Sequence, residues 1–142
     1  MSKHLIIATH ASLAKGFVET MKFFCEPDCT VHTLCAFSEE GNPQVWIEET
    51  LESIPASDNL IVMTDLLSGS VNKLFATYLQ DRTFHLIAGI NLALLLELAM
   101  TKEELLDEDF IRRALEMARS EMVYVNDELK TNRVDSEEEL FT

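Results

Sequence analysis

The 142-residue sequence is poor in basic residues, in cysteine and in long apolar runs, and each shortage excludes a class of function. Eleven Lys and Arg stand against 25 Asp and Glu, and the net charge of −14 argues against a basic face for nucleic acid or an anionic membrane. Three cysteines, an odd number, indicate reduced thiols and not a disulfide framework. The longest apolar stretch, around residues 92–96, is too short to span a bilayer, and the N-terminus lacks the pattern of a signal peptide. We therefore expect a cytoplasmic protein with no nucleic-acid partner.

What the sequence does contain is enough apolar material for a buried core, arranged in an alternating order. Hydrophobic residues make up 47% and charged residues 25%, which is typical of one folded domain of this length. Short β-rich runs alternate with amphipathic helical windows. The runs predicted as strands are Leu5–Thr9, Val31–Cys35, Asn59–Thr64 and Thr83–Ala88. This alternation predicts an α/β fold: a doubly wound, mainly parallel four-stranded sheet with helices on both faces.

The helical windows between these strands begin at recognisable cap residues. The predicted caps are Ser12, Asn42 ahead of Pro43, Thr101 paired with Glu104, and either Asp107 or Asp109 for a last long helix through Met122. A further window, Val71–Leu79, follows the third strand. The window Leu92–Met100 is apolar on nearly every side, which predicts burial against something besides its own sheet, such as a second subunit.

The C-terminal part of the chain carries two further predictions. Val123–Val125 is a candidate for a last strand, and Asp135–Thr142 is acidic and predicted to be solvated. We accordingly divide the chain into a domain over residues 1–127 and an acidic tail over residues 128–142.

The polar residues that follow the strands carry the functional signal, because a parallel sheet binds its ligands beyond the carboxyl ends of its strands. His10 follows the first strand, and Asp65 follows the third. A carboxylate that accepts the proton of one imidazole nitrogen fixes the tautomer and leaves the other nitrogen free as a nucleophile. Ser68–Ser70 supplies hydroxyls and backbone N–H groups at a helix start, a combination that can hold phosphoryl oxygens.

Other chemistry-bearing residues have simpler interpretations. His4, His32 and His85 lie in or at the start of strands, where a histidine is usually a surface residue or has its hydrogen bonds satisfied. Asp65 alone could serve as a turn or cap residue, and a Ser-Gly-Ser loop is common. Cys25 and Cys29 have no second pair to complete a zinc site. Nucleotide-binding fingerprints and a hydrolase nucleophile elbow are absent from the sequence, so we expect neither metal nor cofactor.

Three sequence blocks together resemble a known family. They read IIATHASLAKG at residues 6–16, MTDLLSGSVN at residues 63–72 and LIAGINLALLLE at residues 86–97. They resemble, in order, three signatures of the mannose-type enzyme IIA of the bacterial phosphoenolpyruvate-dependent sugar phosphotransferase system. The resemblance extends over residues 3–125, and it is the combination of all three blocks that is specific.

The resemblance implies a fold, a reaction and a set of partners. The family forms a four-stranded parallel sheet and a homodimer that exchanges a C-terminal strand, here near Glu121–Asp127. Its histidine, here His10, takes a phosphoryl group from the phosphocarrier HPr and passes it to enzyme IIB. Enzyme IIB then phosphorylates the sugar that the membrane components IIC and IID bring in. Asp65 would orient the histidine, and the implied phosphoryl-binding residues are Thr9, Ser68, Gly69 and Ser70.

The sequence departs from the family pattern at three positions. Ala11 and Ser68 stand where the family often has glycine, so either these backbones do not need a positive φ or the loops are slightly reshaped. Val71 stands where the family often has proline, which removes a preset helix start. None of the three departures removes a chemical group, so activity is still expected.

Three other functions remain open at the level of sequence. The first is a regulatory domain of the same fold that is phosphorylated on His10 and signals sugar status. The second is the phosphoryl donor of dihydroxyacetone kinase, a close relative that is usually part of a longer chain. The third is a non-catalytic module that binds a small ligand at the strand ends, for which no covalent phosphate on His10 is expected. The transport subunit is favoured, with enzyme IIB expected on a separate polypeptide.

Overall fold

The chain folds as a four-stranded parallel sheet with helices on both faces, here in a computed structural model that describes residues 2–38 and 41–131. The strands are β1 (Lys3–His10), β2 (Thr30–Ala36), β3 (Asn59–Thr64) and β4 (His85–Ala88). The helices are α1 (Leu13–Phe24), α2 (Pro43–Ser53), α3 (Ser70–Thr77), α4 (Leu92–Met100), α5 (Glu108–Ser120) and α6 (Val125–Thr131). Short 3-10 turns at Tyr78–Gln80 and Glu103–Leu105 follow α3 and α4.

The strand order is β2-β1-β3-β4, and all neighbouring strands run parallel. β1 is flanked on both sides, and its segment from Leu5 to Ala8 has no exposed surface. Alternate side chains of the strand point to opposite faces. Leu5 and Ile7 pack under α1, α4 and α5, whereas Ile6 and Ala8 pack under α2 and α3. The predicted doubly wound sheet is thereby confirmed.

Two of the predicted helix caps are confirmed by their hydrogen bonds. The Asn42 side chain accepts a hydrogen bond from the Gln44 backbone N–H at 2.9 Å, directly ahead of the proline that opens α2. The Asp107 side chain accepts one from the Phe110 N–H at 2.7 Å, so Asp107 and not Asp109 caps α5. Each of these caps satisfies an amide that has no partner within its helix.

Two other predicted caps are wrong in detail. Ser12 precedes α1, but its side chain makes no capping hydrogen bond. The hydroxyl of Thr9 performs this role by accepting a hydrogen bond from the Ala14 N–H at 2.7 Å. The Thr101 hydroxyl donates to the Glu97 carbonyl at 2.6 Å and so faces back toward α4. The segment after it forms only a 3-10 turn, without a side-chain cap.

The C-terminal part also differs from its prediction. α5 ends at Ser120, earlier than predicted, and the predicted strand at Val123–Val125 is not formed. Residues 122–124 have no regular structure, and Val125 begins α6, whose first turn holds two acidic residues that favour a helix N-terminus. An exchanged strand would need a second chain to pair with, so that part remains a prediction. The acidic segment at residues 135–142 lies outside the described residues, and the division at residue 127 falls within α6.

The amino end of β1 is anchored by a buried lysine. Lys3 is only 3% exposed, and its ammonium group donates hydrogen bonds to the carbonyls of Leu98, Ala99 and Thr101 at 2.8, 3.1 and 2.6 Å. These carbonyls end α4, where a cation is favoured by the helix dipole. The apolar helix α4 is thus fixed to the first strand of the sheet. Within the part of the chain that the structure describes, none of the helices is long and apolar enough to cross a membrane.

Candidate functional site

The candidate site lies where β1 and β3 end side by side. The two strands pair in parallel with Ala8 opposite Thr64, so the residues that follow them meet at one edge. His10 is the last residue of β1, and Asp65 is the first residue after β3. The His10 side chain is 37% exposed, whereas that of Asp65 is 10% exposed. The imidazole therefore faces solvent with the carboxylate beneath it.

One oxygen of Asp65 binds both the ring and the main chain of His10. Asp65 Oδ2 lies 2.9 Å from His10 Nδ1 and also accepts a hydrogen bond of 2.9 Å from the His10 backbone N–H. The other oxygen, Oδ1, accepts one from the Leu66 N–H at 3.0 Å. Burial alone would raise the pKa of Asp65, but these hydrogen bonds and the nearby imidazole outweigh it and lower that pKa.

The charge on Asp65 assigns the proton on the histidine. A carboxylate only accepts hydrogen bonds, so His10 Nδ1 carries the proton that points at Oδ2. In the neutral ring the lone pair is then on Nε2. Nε2 lies 3.3 Å from the Ser70 hydroxyl, which can donate to it. The nitrogen that carries the lone pair therefore faces the loop that begins α3.

That loop ends in an uncapped helix N-terminus. Gly69 is the N-cap residue of α3, and the first hydrogen bond within the helix runs from the Lys73 N–H to the Gly69 carbonyl at 3.1 Å. The amides between them precede the first helical hydrogen bond and carry the positive end of the helix dipole. Ser68 and Ser70 are both exposed, and the Ser70 hydroxyl is the one that lies beside the imidazole.

Gly69 leaves the space in which the imidazole sits. A Cβ at this position would lie 2.9 Å from His10 Cε1 and 3.3 Å from the Leu66 carbonyl oxygen. Its φ lies in the ordinary extended region, so the absence of a side chain matters here for space and not for backbone conformation.

Thr9, which was also predicted to bind the phosphoryl group, lies beneath the site. It has no exposed surface, and its hydroxyl is engaged between the Ala14 N–H at 2.7 Å and the His10 carbonyl at 3.2 Å. The structure thus brings His10, Asp65 and Ser70 together and places Thr9 under them as a support for the end of β1.

Sequence reasoning missed Asn72, which supports the loop from within. Asn72 is 8% exposed; its carbonyl oxygen accepts a hydrogen bond from the Thr64 hydroxyl at 3.0 Å. Its amide nitrogen donates to the Leu67 carbonyl at 3.1 Å. Buried amides of this kind are retained where both of their ends are bonded. Its place in the second sequence block, two residues after Ser70, was the signal available in the sequence.

Two residues at this edge have a left-handed backbone. Ala11 has φ 52° and Phe37, directly after β2, has φ 60°. The alternative that Ala11 does not need a positive φ is therefore wrong: alanine adopts this conformation here, and its N–H donates to the Ala36 carbonyl at 2.9 Å. The Phe37 ring stacks on the His10 imidazole with centroids 5.6 Å apart, a contact that the sequence analysis did not anticipate.

A second histidine–carboxylate pair lies at the opposite end of β1. His4 Nε2 is 3.0 Å from Asp58 Oδ2, and His4 Nδ1 is 3.1 Å from His32 Nε2. Both nitrogens of His4 are thus engaged, which confirms the interpretation of His4 as a strand histidine with satisfied hydrogen bonds. Across residues 2–38 and 41–131, no group of three His, Cys, Asp or Glu side chains is arranged to hold a metal ion.

Comparison with known proteins identifies the family. Residues 4–115 match the family EIIA-man, described as the phosphotransferase system (PTS) fructose IIA component. Among curated proteins, none matches the sequence. A structure from Klebsiella pneumoniae, assigned to a phosphoenolpyruvate-dependent sugar PTS permease, is 36% identical, with a TM-score of 0.81 over 91% of this chain and 95% of that one.

Two more distant structures share the fold. The PTS IIA protein associated with the fucose utilization operon of Streptococcus pneumoniae is 22% identical, with a TM-score of 0.76 over 91% of this chain and 97% of that one. The mannose/sorbose-specific IIA subunit of Enterococcus faecalis is 17% identical, with a TM-score of 0.72 over 87% of this chain and 95% of that one. With the family match and the 36% identical structure, these results show that the chain belongs to the EIIA-man family, the mannose- and fructose-type IIA components of the sugar phosphotransferase system.

Proposed function

We propose that His10 Nε2 accepts a phosphoryl group from phosphorylated HPr and passes it to enzyme IIB. The observation that carries this proposal is the hydrogen bond between His10 Nδ1 and Asp65. It leaves the lone pair of Nε2 exposed beside Ser70. Membership of a PTS IIA family supports phosphotransferase activity in general. The geometry supports this particular nitrogen as the one that reacts.

In the proposed step, the lone pair of His10 Nε2 attacks the phosphorus of the phosphohistidine on HPr. The new N–P bond forms as the donor's N–P bond breaks, and that bonding pair returns to the donor's ring nitrogen. His10 keeps its Nδ1 proton, so its phosphorylated ring carries a positive charge that the Asp65 carboxylate balances. Transfer onward reverses the roles: the acceptor's lone pair attacks phosphorus, and the bonding pair returns to Nε2.

The groups around Nε2 suit a phosphoryl group that must leave again. The Ser70 hydroxyl, now beside Nε2, would turn to donate to a phosphoryl oxygen, and the N-terminal amides of α3 would supply further dipoles. The net charge of −14 opposes an incoming anion, but salt screens this repulsion beyond about 8–10 Å, so the local dipoles dominate at the site. We assign Ser68, Gly69 and Ser70 to phosphoryl binding and Thr9 to support of the His10 main chain.

The wider role follows from the same proposal. The protein would act in the cytoplasm as a homodimer and would serve the membrane components IIC and IID only indirectly, through enzyme IIB. Its fold neighbours are named for a fucose operon and for mannose and sorbose, which supports uptake of a mannose-family sugar. The exchange of a C-terminal strand between protomers is part of this proposal.

The test is phosphorylation from phosphoenolpyruvate through enzyme I and HPr, followed by intact mass spectrometry. We expect the wild type to gain one acid-labile phosphoryl group, which candidate enzyme IIB proteins then remove. His10→Ala should gain none. His4→Ala is the matched control, since His4 also pairs with an aspartate but has no free nitrogen, and it should be phosphorylated like the wild type. A folded wild type that gains no phosphoryl group from active HPr would refute the relay and favour a ligand-binding module.

A further inference from the structure

Phe37 combines two features that an ordinary loop residue does not need. It is an aromatic residue with φ 60°, a conformation that costs energy for any residue with a side chain and is uncommon for bulky ones. It is also 60% exposed and belongs to neither of the two core clusters, so burial does not repay that cost. The ring contact that it makes is with the imidazole of His10.

The contact restrains a motion that the hydrogen bond to Asp65 leaves free. With Nδ1 bonded to Asp65, the ring can still make small rotations about its Cβ–Cγ bond, which would turn Nε2 away from the helix N-terminus. The Phe37 ring covers one face of the imidazole at 5.6 Å between centroids and 23° between planes. Gly69 approaches the Cε1 edge from another side. The imidazole is therefore restrained at an edge, on a face and at Nδ1.

We infer that Phe37 is a positioning residue that holds the His10 imidazole in the plane required for in-line attack on phosphorus. The inference rests on the proposed function, since it concerns transfer at the same nitrogen. Phe37 touches no reacting atom in this role; it acts through the ring of His10. In-line displacement at phosphorus depends on the direction of the attacking lone pair, so a tilt of the ring lowers the rate within the complex.

Three substitutions separate the ring from the backbone conformation. Phe37→Tyr keeps both the aromatic ring and the left-handed backbone. Phe37→Leu keeps bulk and backbone but loses the ring. Phe37→Gly loses the ring and relieves the backbone. Phe23→Leu is the matched control, because Phe23 is 83% exposed and lies near the other end of α1, away from His10.

The readouts are the rate of transfer from phosphorylated HPr, resolved into kcat and KM, and the NMR shifts of the His10 ring protons. We expect Phe37→Leu and Phe37→Gly to lower kcat roughly tenfold with little change in KM, and Phe37→Tyr and Phe23→Leu to match the wild type. The ring-current shift of the His10 protons should be lost in Phe37→Leu and Phe37→Gly. The melting temperature of Phe37→Gly should not fall, which shows that its slow transfer is not a folding defect.

Three results would overturn the inference. The first is a wild-type kcat in Phe37→Leu. The second is a rise in the KM of Phe37→Leu with no change in kcat, which indicates a docking contact. The third is a set of His10 ring shifts that do not respond to loss of the phenyl ring. If the wild type itself accepts no phosphoryl group, the proposed function fails and the inference fails with it. If the wild type is phosphorylated and Phe37→Leu transfers equally fast, only the inference fails.

Discussion

The two ends of β1 each hold a histidine paired with an aspartate, and they differ in what the second ring nitrogen meets. At the carboxyl end, Asp65 binds His10 Nδ1, and Nε2 faces an exposed hydroxyl. At the amino end, Asp58 binds Nε2 of His4, and Nδ1 faces the ring of His32. The pairing distances, 2.9 and 3.0 Å, are almost the same.

A histidine–carboxylate pair can supply a nucleophile only where the second ring nitrogen is accessible, and the two pairs differ in that respect. At the amino end the second nitrogen is used in the structure, and the side chains of His4 and Asp58 are each 11% exposed. At the carboxyl end the second nitrogen meets an exposed hydroxyl at 3.3 Å and lies beside a helix N-terminus. The position on the sheet explains this contrast, because α3 begins at the edge where the parallel strands end.

Exchange of each aspartate for asparagine is the sharpest test of the comparison, with the largest expected effect. Asp65→Asn should lower the rate of phosphoryl transfer roughly 100-fold, because an amide no longer enforces the Nδ1–H tautomer or balances a cationic ring. Asp58→Asn should lower the melting temperature and leave transfer unchanged. The measurements are the rate of phosphoryl transfer from phosphorylated HPr and the thermal unfolding curve of each variant. Slower transfer in a fully folded Asp58→Asn protein would contradict the assignment of separate roles.

A second pair of substitutions tests whether the open imidazole needs the space beside it. Gly69→Ala places a methyl group 2.9 Å from His10 Cε1, so we expect transfer to slow roughly tenfold as the ring is displaced. Gly16→Ala is the control: it lies in α1 with nothing within 4 Å of the new Cβ. It should raise the free energy of unfolding by about 0.5–1 kcal/mol and leave transfer unchanged. Wild-type transfer in Gly69→Ala would show that the ring is not confined at that edge.

The pH dependence of stability should report on the amino end as well. The Ser2 backbone N–H, the His4 ring and the Ser2 hydroxyl lower the pKa of Asp58 from 3.8 to about 2. A depressed pKa in the folded state contributes stability that is present above pH 3.8 and is lost as the pH falls toward 2. Urea unfolding across this window should therefore show a shallower loss in Asp58→Asn than in the wild type. Equal slopes would mean that the carboxylate is not bonded this way in solution.

The smallest expected effect concerns the turn that follows the carboxyl end of β1. Ala11 has φ 52°, a conformation that glycine adopts without a steric cost. Ala11→Gly should raise the free energy of unfolding by up to about 1 kcal/mol, since relief of strain exceeds the entropy that glycine adds to the unfolded chain. Chemical denaturation measures this change in the free energy of unfolding, and the rate of phosphoryl transfer should stay at the wild-type value. A loss of stability would show that the loop does not depend on this left-handed turn.

Much of the architecture could be predicted from local sequence patterns. The strand at Asn59–Thr64 and the helix at Leu92–Met100 were predicted with the bounds that the structure has, because each is a continuous apolar run between clear breakers. The convergence of His10 and Asp65 also followed, since parallel strands end at one edge. The segment at Val123–Val125 is not a strand within the single chain, because a short β-branched and aromatic run does not reveal whether a pairing strand is available.

The details that escaped prediction depend on contacts between distant parts of the chain. Thr9 takes over the capping role expected of Ser12, which only the path of β1 into α1 determines. The stack of Phe37 on His10 joins residues at the ends of two different strands. The left-handed backbone of Phe37 cannot be predicted from the residue type. The amino-end cluster likewise needs β1, β2 and the segment before β3 to be in register.

Asp65 Oδ2 contacts both the ring Nδ1 and the backbone N–H of His10. Because ring and strand end share this one anchor, the imidazole is held close to the edge of the sheet. Under the proposed function, donor and acceptor would each have to reach the same nitrogen, so we expect their docking faces on this protein to overlap. Excess unphosphorylated donor should then compete with the acceptor for binding. Turnover would be limited by the rate at which the donor dissociates.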